Sequence, residues 1–217
     1  MNTAVIIPTL GRNEQAQRCV ERFLQTGPTD VVLCIEDGED EYPSLIGNDR
    51  VKFVHLQKRT NAIDGNNAGL AEHPNYDAYF IGADDLWPDE GWLNEILFTH
   101  GTTGASCISI NDGHIDGNQL GTHVWMTRYH IVKHNGGVLT TPWYRSWCAD
   151  VEFTERAKRV QRYAWAERSK VEHRHQLWSG NTDRTYERAK PKHIYDQLTC
   201  EFRRRNGWPD DFEAVIK

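Results

Sequence analysis

The chain has 217 residues, 38% hydrophobic and 26% charged, enough for one sizeable core or two small ones. No run approaches the roughly 20 apolar residues that a membrane-spanning helix requires, and the N-terminus opens on Val5-Ile6-Ile7-Pro8 without a basic leader, so a soluble, cytoplasmic protein is expected. Cys19, Cys34, Cys107, Cys148 and Cys200 form no C-x-x-C pair and read as reduced, mostly structural thiols.

The net charge of -6 is unevenly spread. Residues 1–154 carry 10 Lys and Arg against 21 Asp and Glu, whereas residues 155–205 carry 14 against 7. An acidic body suits a divalent cation. The basic segment reads first as a solvated helical face and second as a partner for phosphate.

In chain order, Ala4–Ile7 is a short apolar run closed by Pro8, a strand. Glu14–Gln25 places Cys19, Val20, Phe23 and Leu24 on one helical face, and Val31–Ile35 is a strand buried on both sides. Val51–Leu56 predicts a third strand, Thr60–Ala71 a helix and Tyr76–Ile81 a fourth strand. This order predicts an α/β fold with a mainly parallel sheet, in which sites lie beyond the carboxyl ends of the strands. Glu36-Asp37 and Asp84-Asp85 both follow apolar strands and are expected to face one crevice.

Pro88–Phe98 reads as a helix with Pro88 in its first turn. Beyond residue 101 the pattern changes to Gly-rich turns and short strands, chiefly Ala105–Ile110 and Thr122–Met126. Asp150 is expected to cap a helix through Phe153, Ala157 and Val160; Tyr163–Ala166 and Lys170–His175 read as two strands. Thr182–Arg205 is a charged helical stretch that Pro191 divides or kinks. The chain reads as a single domain with two lobes.

Adjacent carboxylates in a strand-end loop repel each other unless a cation or hydrogen bonds compensate, so Asp84-Asp85 suggests Mg²⁺ or Mn²⁺. A turn whose Asp caps the next helix is the plainer alternative. His173 and His175 project to one side if their segment is extended, which is metal-ligand geometry; alternatively both are surface residues in a chain with 10 histidines. Two His without a nearby Cys leave a separate zinc site short of ligands.

Several segments resemble GT-A glycosyltransferases, especially the large family 2 group. Val5-Ile6-Ile7-Pro8-Thr9-Leu10-Gly11-Arg12 is similar to the opening strand and loop, and Ile35-Glu36-Asp37-Gly38 to the second strand's acidic ending. Asn67-Ala68-Gly69-Leu70 resembles the helical Asn-x-Gly segment. Ile81-Gly82-Ala83-Asp84-Asp85-Leu86-Trp87-Pro88-Asp89-Glu90-Gly91-Trp92-Leu93 resembles the DxD-type metal loop and the helix start after it. Trp147-Cys148-Ala149-Asp150-Val151-Glu152 is similar to the late acidic motif. The sequence departs from the pattern at Gly82, where many members place another Asp, and at Ala149, which replaces the usual Glu.

The resemblance implies a GT-A, Rossmann-like sheet flanked by helices, with a nucleotide-binding half over 1–100, an acceptor and catalytic half over 101–180 and a helical segment over 181–217. It implies a metal-dependent transfer of sugar from a nucleotide-sugar, with a lean to UDP, onto an acceptor hydroxyl. Asp37 would accept from the nucleobase, Asp84 would sit near the ribose, and Thr9, Arg12 and Asn67 would lie along the nucleotide, Arg12 meeting a phosphate bidentately. Asp85 would ligate Mn²⁺ or Mg²⁺ together with a late His, His175 first and His173 second. Asp150 would be the general base of an inverting reaction. Trp143 and Trp147 would border the acceptor opening. The acceptor is expected to be a carbohydrate or lipid-linked saccharide, or a modified base in DNA with Arg203-Arg204-Arg205 on its phosphates.

A sugar-phosphate nucleotidyltransferase is the competing enzyme reading, but Gly11-Arg12-Asn13-Glu14 lacks the glycine spacing of its phosphate loop. A carbohydrate-binding domain without turnover would account for Gly82 and Ala149, but not for Asp37, Asp84, Asp85 and Asp150 standing at family-like positions.

Overall fold

The structure, a computed structural model, describes residues 1–36, 42–56, 61–175 and 192–210. Five strands and three helices fill the first half: β1 (Thr3–Pro8), α1 (Asn13–Thr26), β2 (Asp30–Glu36), β3 (Val51–Leu56), α2 (Ala62–Glu72), β4 (Ala78–Ile81), β5 (Leu86–Pro88) and α3 (Trp92–Thr103). Then come β6 (Cys107–Asn111), β7 (Val124–Thr127), α4 (Arg128–His134), α5 (Ala149–Arg159), β8 (Tyr163–His173) and α6 (His193–Arg205).

The strands form one sheet in the order β3-β2-β1-β4-β7-β6-β8-β5. β3, β2, β1 and β4 are mutually parallel, whereas β7 is antiparallel to both β4 and β6. β6 and β8 are parallel, and β5 closes the edge antiparallel to β8. The expected parallel sheet therefore holds over β1–β4 and becomes mixed beyond them.

Every residue of β1 is buried. Its alternating side chains feed two cores: Val5 and Ile7 pack with Phe23, Leu33, Phe80 and Trp92 on one face, and Ala4 and Ile6 with Val32, Val54 and Tyr79 on the other. α2 can lie close on β1 because Gly69 has no Cβ; a Cβ there would stand 2.7 Å from Ile6 Cγ2. Asn61 caps α2, its side chain accepting from the Ile63 and Asp64 amides.

Three expected elements are corrected. Pro88 ends strand β5 rather than opening a helix, and α3 starts at Trp92 after Gly91 in a left-handed conformation (φ 80°). β8 is one strand of 11 residues, not two. Asp150 is not the cap of α5: Cys148 takes that position at φ 65°, and Asp150 lies in the first turn. The 182–191 part of the long charged stretch, with Pro191, lies outside the described residues. All five cysteines are free, as expected. No helix among the described residues is long and apolar enough to cross a membrane.

Candidate active site

Parallel strands β1 and β4 end side by side, so the loops that leave them meet. There Thr9 Oγ1 donates to Asp84 Oδ2 at 2.7 Å, and Arg12 Nη1 donates to Asp84 Oδ1 at 2.9 Å. Three residues assigned separately to the nucleotide are thus one hydrogen-bonded unit. Gly82 precedes it, and its departure from the usual motif has a steric cause. A Cβ at 82 would stand 2.8 Å from the Ile6 carbonyl oxygen, so an Asp there has no room.

Asp85 follows, and the chain runs directly into β5. Because β5 pairs antiparallel with β8 in the register Leu86 to His173, the start of one strand lies against the end of the other. The Arg174 amide donates to the Asp85 carbonyl at 2.9 Å. Alternation along the extended chain then turns His173 and His175 the same way, with their rings 5.0 Å apart. One ligand atom from each of Asp85, His173 and His175 lies within 4.8 Å of the others.

That cluster fits a divalent cation. Bonds of about 2.2 Å place neighbouring ligand atoms roughly 3 to 4.4 Å apart. Asp85 Oδ1 is buried and makes no hydrogen bond; His173 Nε2 stands 3.4 Å from it without the geometry of one. Burial alone would raise the Asp85 pKa, but His173, followed by His123 and His175, brings it down to about 2. Asp84 moves the other way, to about 6, because burial and then the Asp85 charge outweigh Arg12 and Thr9. Of the two neighbours, Asp84 spends both oxygens on Thr9 and Arg12, whereas Asp85 Oδ1 remains for a cation.

A cleft of about 290 Å³ opens beside the cluster, lined by His173, His175, Trp147 and Asp150 among others. Asp150 accepts from the Val151 amide at 2.9 Å, and burial raises its pKa above the ordinary carboxyl value. Trp143 instead lines a neighbouring groove with Asn61, Asp64 and Tyr195. Asn67 is committed elsewhere: its carbonyl accepts from the Leu139 and Thr140 amides, and its amide donates to the Thr140 carbonyl at 2.7 Å. These bonds make Asn67, expected along the nucleotide, a brace that holds the 139–140 loop on α2. Asp37 lies outside the described residues.

Sequence reasoning missed three site residues. His123, 8% exposed, lines the cleft, donates from Nδ1 to the Ile81 carbonyl at 3.0 Å and sets its ring edge-on to His173. Burial holds its pKa down at about 4. Asp112 receives the Thr122 hydroxyl and the amides of His114 and Ile115, which fixes a loop that lines the cleft. Asp196 of α6, fully buried, receives the amides of Arg145, Ser146 and Trp147 at 2.9, 2.8 and 2.7 Å. Three backbone donors on one carboxylate fix the turn that leads into α5. We expect Asp196→Ala to free this turn, lowering Tm and weakening acceptor use while nucleotide affinity holds; titrating nucleotide against the variant checks the split.

Of the Arg203-Arg204-Arg205 triplet expected on a DNA backbone, Arg203 faces inward and Arg205 is 81% exposed. Arg203 is fully buried on Glu152, Arg204 is paired with Glu155 at 2.6 Å, and Arg205 lies 3.7 Å from Glu201.

The model of glycosyl transferase family 2 matches residues 4–143. The chain belongs to that family. The match spans β1, the Thr9–Arg12 loop and Asp84-Asp85, and it stops before Asp150 and the two histidines. Among curated proteins no sequence matches significantly. Solved structures of S. aureus TarS share the architecture: TarS 1–349 aligns with TM-score 0.58 and 13% identity over 79% of this chain and 59% of that one. The same fragment in complex with UDP gives TM-score 0.59. The longer TarS structure gives 0.59 over 36% of its length. This family 2 chain thus has the GT-A fold of a glycosyltransferase and spans about three-fifths of the TarS fragment it matches.

Proposed function

We propose that the chain transfers a sugar from a nucleotide-sugar, a UDP-sugar first, to an acceptor hydroxyl with inversion and with the help of a divalent metal. The observation that carries this reading is the meeting of Asp85, His173 and His175 within 4.8 Å, beside the cleft that also holds Asp150.

Asp85, His173 and His175 would hold the metal. Two imidazoles and one carboxylate favour Mn²⁺ over Mg²⁺, which prefers an all-oxygen shell. When bound, the cation would supply positive charge where the leaving diphosphate gains negative charge. Asp84, held by Thr9 and Arg12, presents a fixed polar wall to the nucleotide. Asp150 receives the acceptor hydroxyl's proton as its oxygen attacks the anomeric carbon from the side opposite the diphosphate, which inverts that centre. Trp147 borders the acceptor end, and Trp143 extends that border into the adjoining groove. A carbohydrate acceptor is favoured over DNA, since Arg203 is buried on Glu152 and Arg204 is paired with Glu155. We also read residues 1–217 as one GT-A domain, with 1–100 the donor half.

Incubation with a panel of UDP-sugars and Mn²⁺ tests the reading. Slow release of UDP supports it; pyrophosphate from a nucleoside triphosphate and a sugar phosphate would instead mark a nucleotidyltransferase. Asp85→Ala is expected to weaken Mn²⁺-dependent UDP binding at least tenfold, on the order of one lost ligand bond, and to leave metal-free UDP binding unchanged. Calorimetry with and without EDTA separates the two.

A further inference from the structure

Successive residues of a helix point about 100° apart, so Asn66 faces differently from Asn67. It lines the cleft, is only 4% exposed, and its Oδ1 is buried without a hydrogen-bond partner. Buried amides are nearly always satisfied, because leaving one unpaired costs its lost hydration. A leucine has almost the same shape without that penalty. The unpaired amide therefore needs a reason, and a guest molecule in the cleft supplies one.

His123 also lines the cleft. His123 spends Nδ1 on the Ile81 carbonyl, which leaves Nε2 as an acceptor in the neutral ring. An amide that both donates and accepts, in a cleft that an imidazole also lines, matches a polyhydroxylated guest, because each hydroxyl also does both.

We propose that the Asn66 amide binds a hydroxyl of the transferred sugar and thereby selects which sugar is accepted. This rests on the transferase reading above. The sugar is identified by chemistry: the cleft's lining includes His173 and His175, read above as holding the metal on the diphosphate, and Asp150, read as the acceptor's base. The group between a departing diphosphate and a base is the sugar itself. A site that hydrogen-bonds one hydroxyl discriminates strongly against a guest that presents it wrongly, because its own buried polar group is then left unpaired.

The test is calorimetric titration of wild type and Asn66→Leu with UDP, UDP-glucose, UDP-galactose, UDP-N-acetylglucosamine and UDP-N-acetylgalactosamine, all with Mn²⁺, alongside Tm. Wild type is expected to prefer one UDP-sugar. Asn66→Leu should bind UDP within twofold of wild type, bind the preferred UDP-sugar at least tenfold more weakly, lose the preference, and show an equal or higher Tm. Unchanged affinity and ranking for the sugars in the variant would overturn the assignment of Asn66 while leaving the transferase reading standing. So would equal affinity of wild type for all four sugars, or a fall in Tm that takes UDP and UDP-sugar affinity down together, the mark of a structural amide. A wild-type protein that binds neither UDP nor any UDP-sugar would overturn the transferase reading and this inference with it.

Discussion

Asp150→Asn should lower the rate of sugar transfer by about 10²- to 10⁴-fold, the usual contribution of a general base, and leave UDP affinity unchanged. The amide fills the same space and keeps an oxygen for the Val151 amide, 2.9 Å away in the native protein, but it cannot take the acceptor's proton. The raised pKa of Asp150 adds two consequences. Burial disfavours its charged form, so transfer should fall as pH drops through a value above that of an ordinary aspartate, because the base must be ionised to act. For stability the sign is opposite. A carboxyl whose folded pKa is raised stabilises the fold below its unfolded pKa and loses that contribution as pH rises through the folded pKa. At neutral pH the ionised Asp150 therefore destabilises the protein, and Asp150→Asn should raise Tm. The gain should shrink as pH falls into the window between the two values, which calorimetry across pH would follow. Undiminished transfer by the variant removes Asp150 from the chemistry.

How far the sequence reveals such a site depends on how local its causes are. Strands β1, β2 and β4 are legible because continuous apolar runs bounded by Pro8, Glu36-Asp37 and Gly82 leave few other solutions. Asp84-Asp85 is legible for the same reason: it follows a strand, so it stands at the sheet's carboxyl edge. The facing of His173 and His175 follows from strand alternation alone. Their meeting with Asp85 needs the β5 to β8 pairing, and β5 is three residues ending in proline, a segment with no periodicity to read. Asn66 and Asn67 show a different limit. Both sit in an Asn-rich turn of α2, and only the packing angle of that helix decides which one faces the cleft and which one braces the 139–140 loop.

The C-terminal basic segment was the least legible part, and it gives the largest stability effect. Charged residues at helical spacing in α6 read as a solvated face, yet Arg203 and Asp196 are fully buried. Their burial depends on acceptors far along the chain. Arg203 Nε and Nη2 donate to the two Glu152 oxygens at 2.7 Å each, and the Tyr144 hydroxyl donates to Glu152 Oε2 at 2.9 Å. Glu152, itself fully buried, lies two residues beyond Asp150 on α5. Arg203→Met leaves that carboxylate with Tyr144 and with Arg156, whose Nη1 lies 3.3 Å away, and breaking one side of a buried pair costs about 3 kcal/mol. For a chain of this size that loss is worth roughly 6–12 °C in Tm. Glu152→Leu combined with Arg203→Met should recover most of it, because the one buried charge that remains of this group, Arg156, keeps Asp210. Transfer should fall in the single variant, since α5 carries Asp150 and the pair ties α5 to α6. If calorimetry finds Arg203→Met within 1 °C of wild type, a bound the same scaling equates with a few tenths of a kcal/mol, the pair is not what fastens α6 to the catalytic helix.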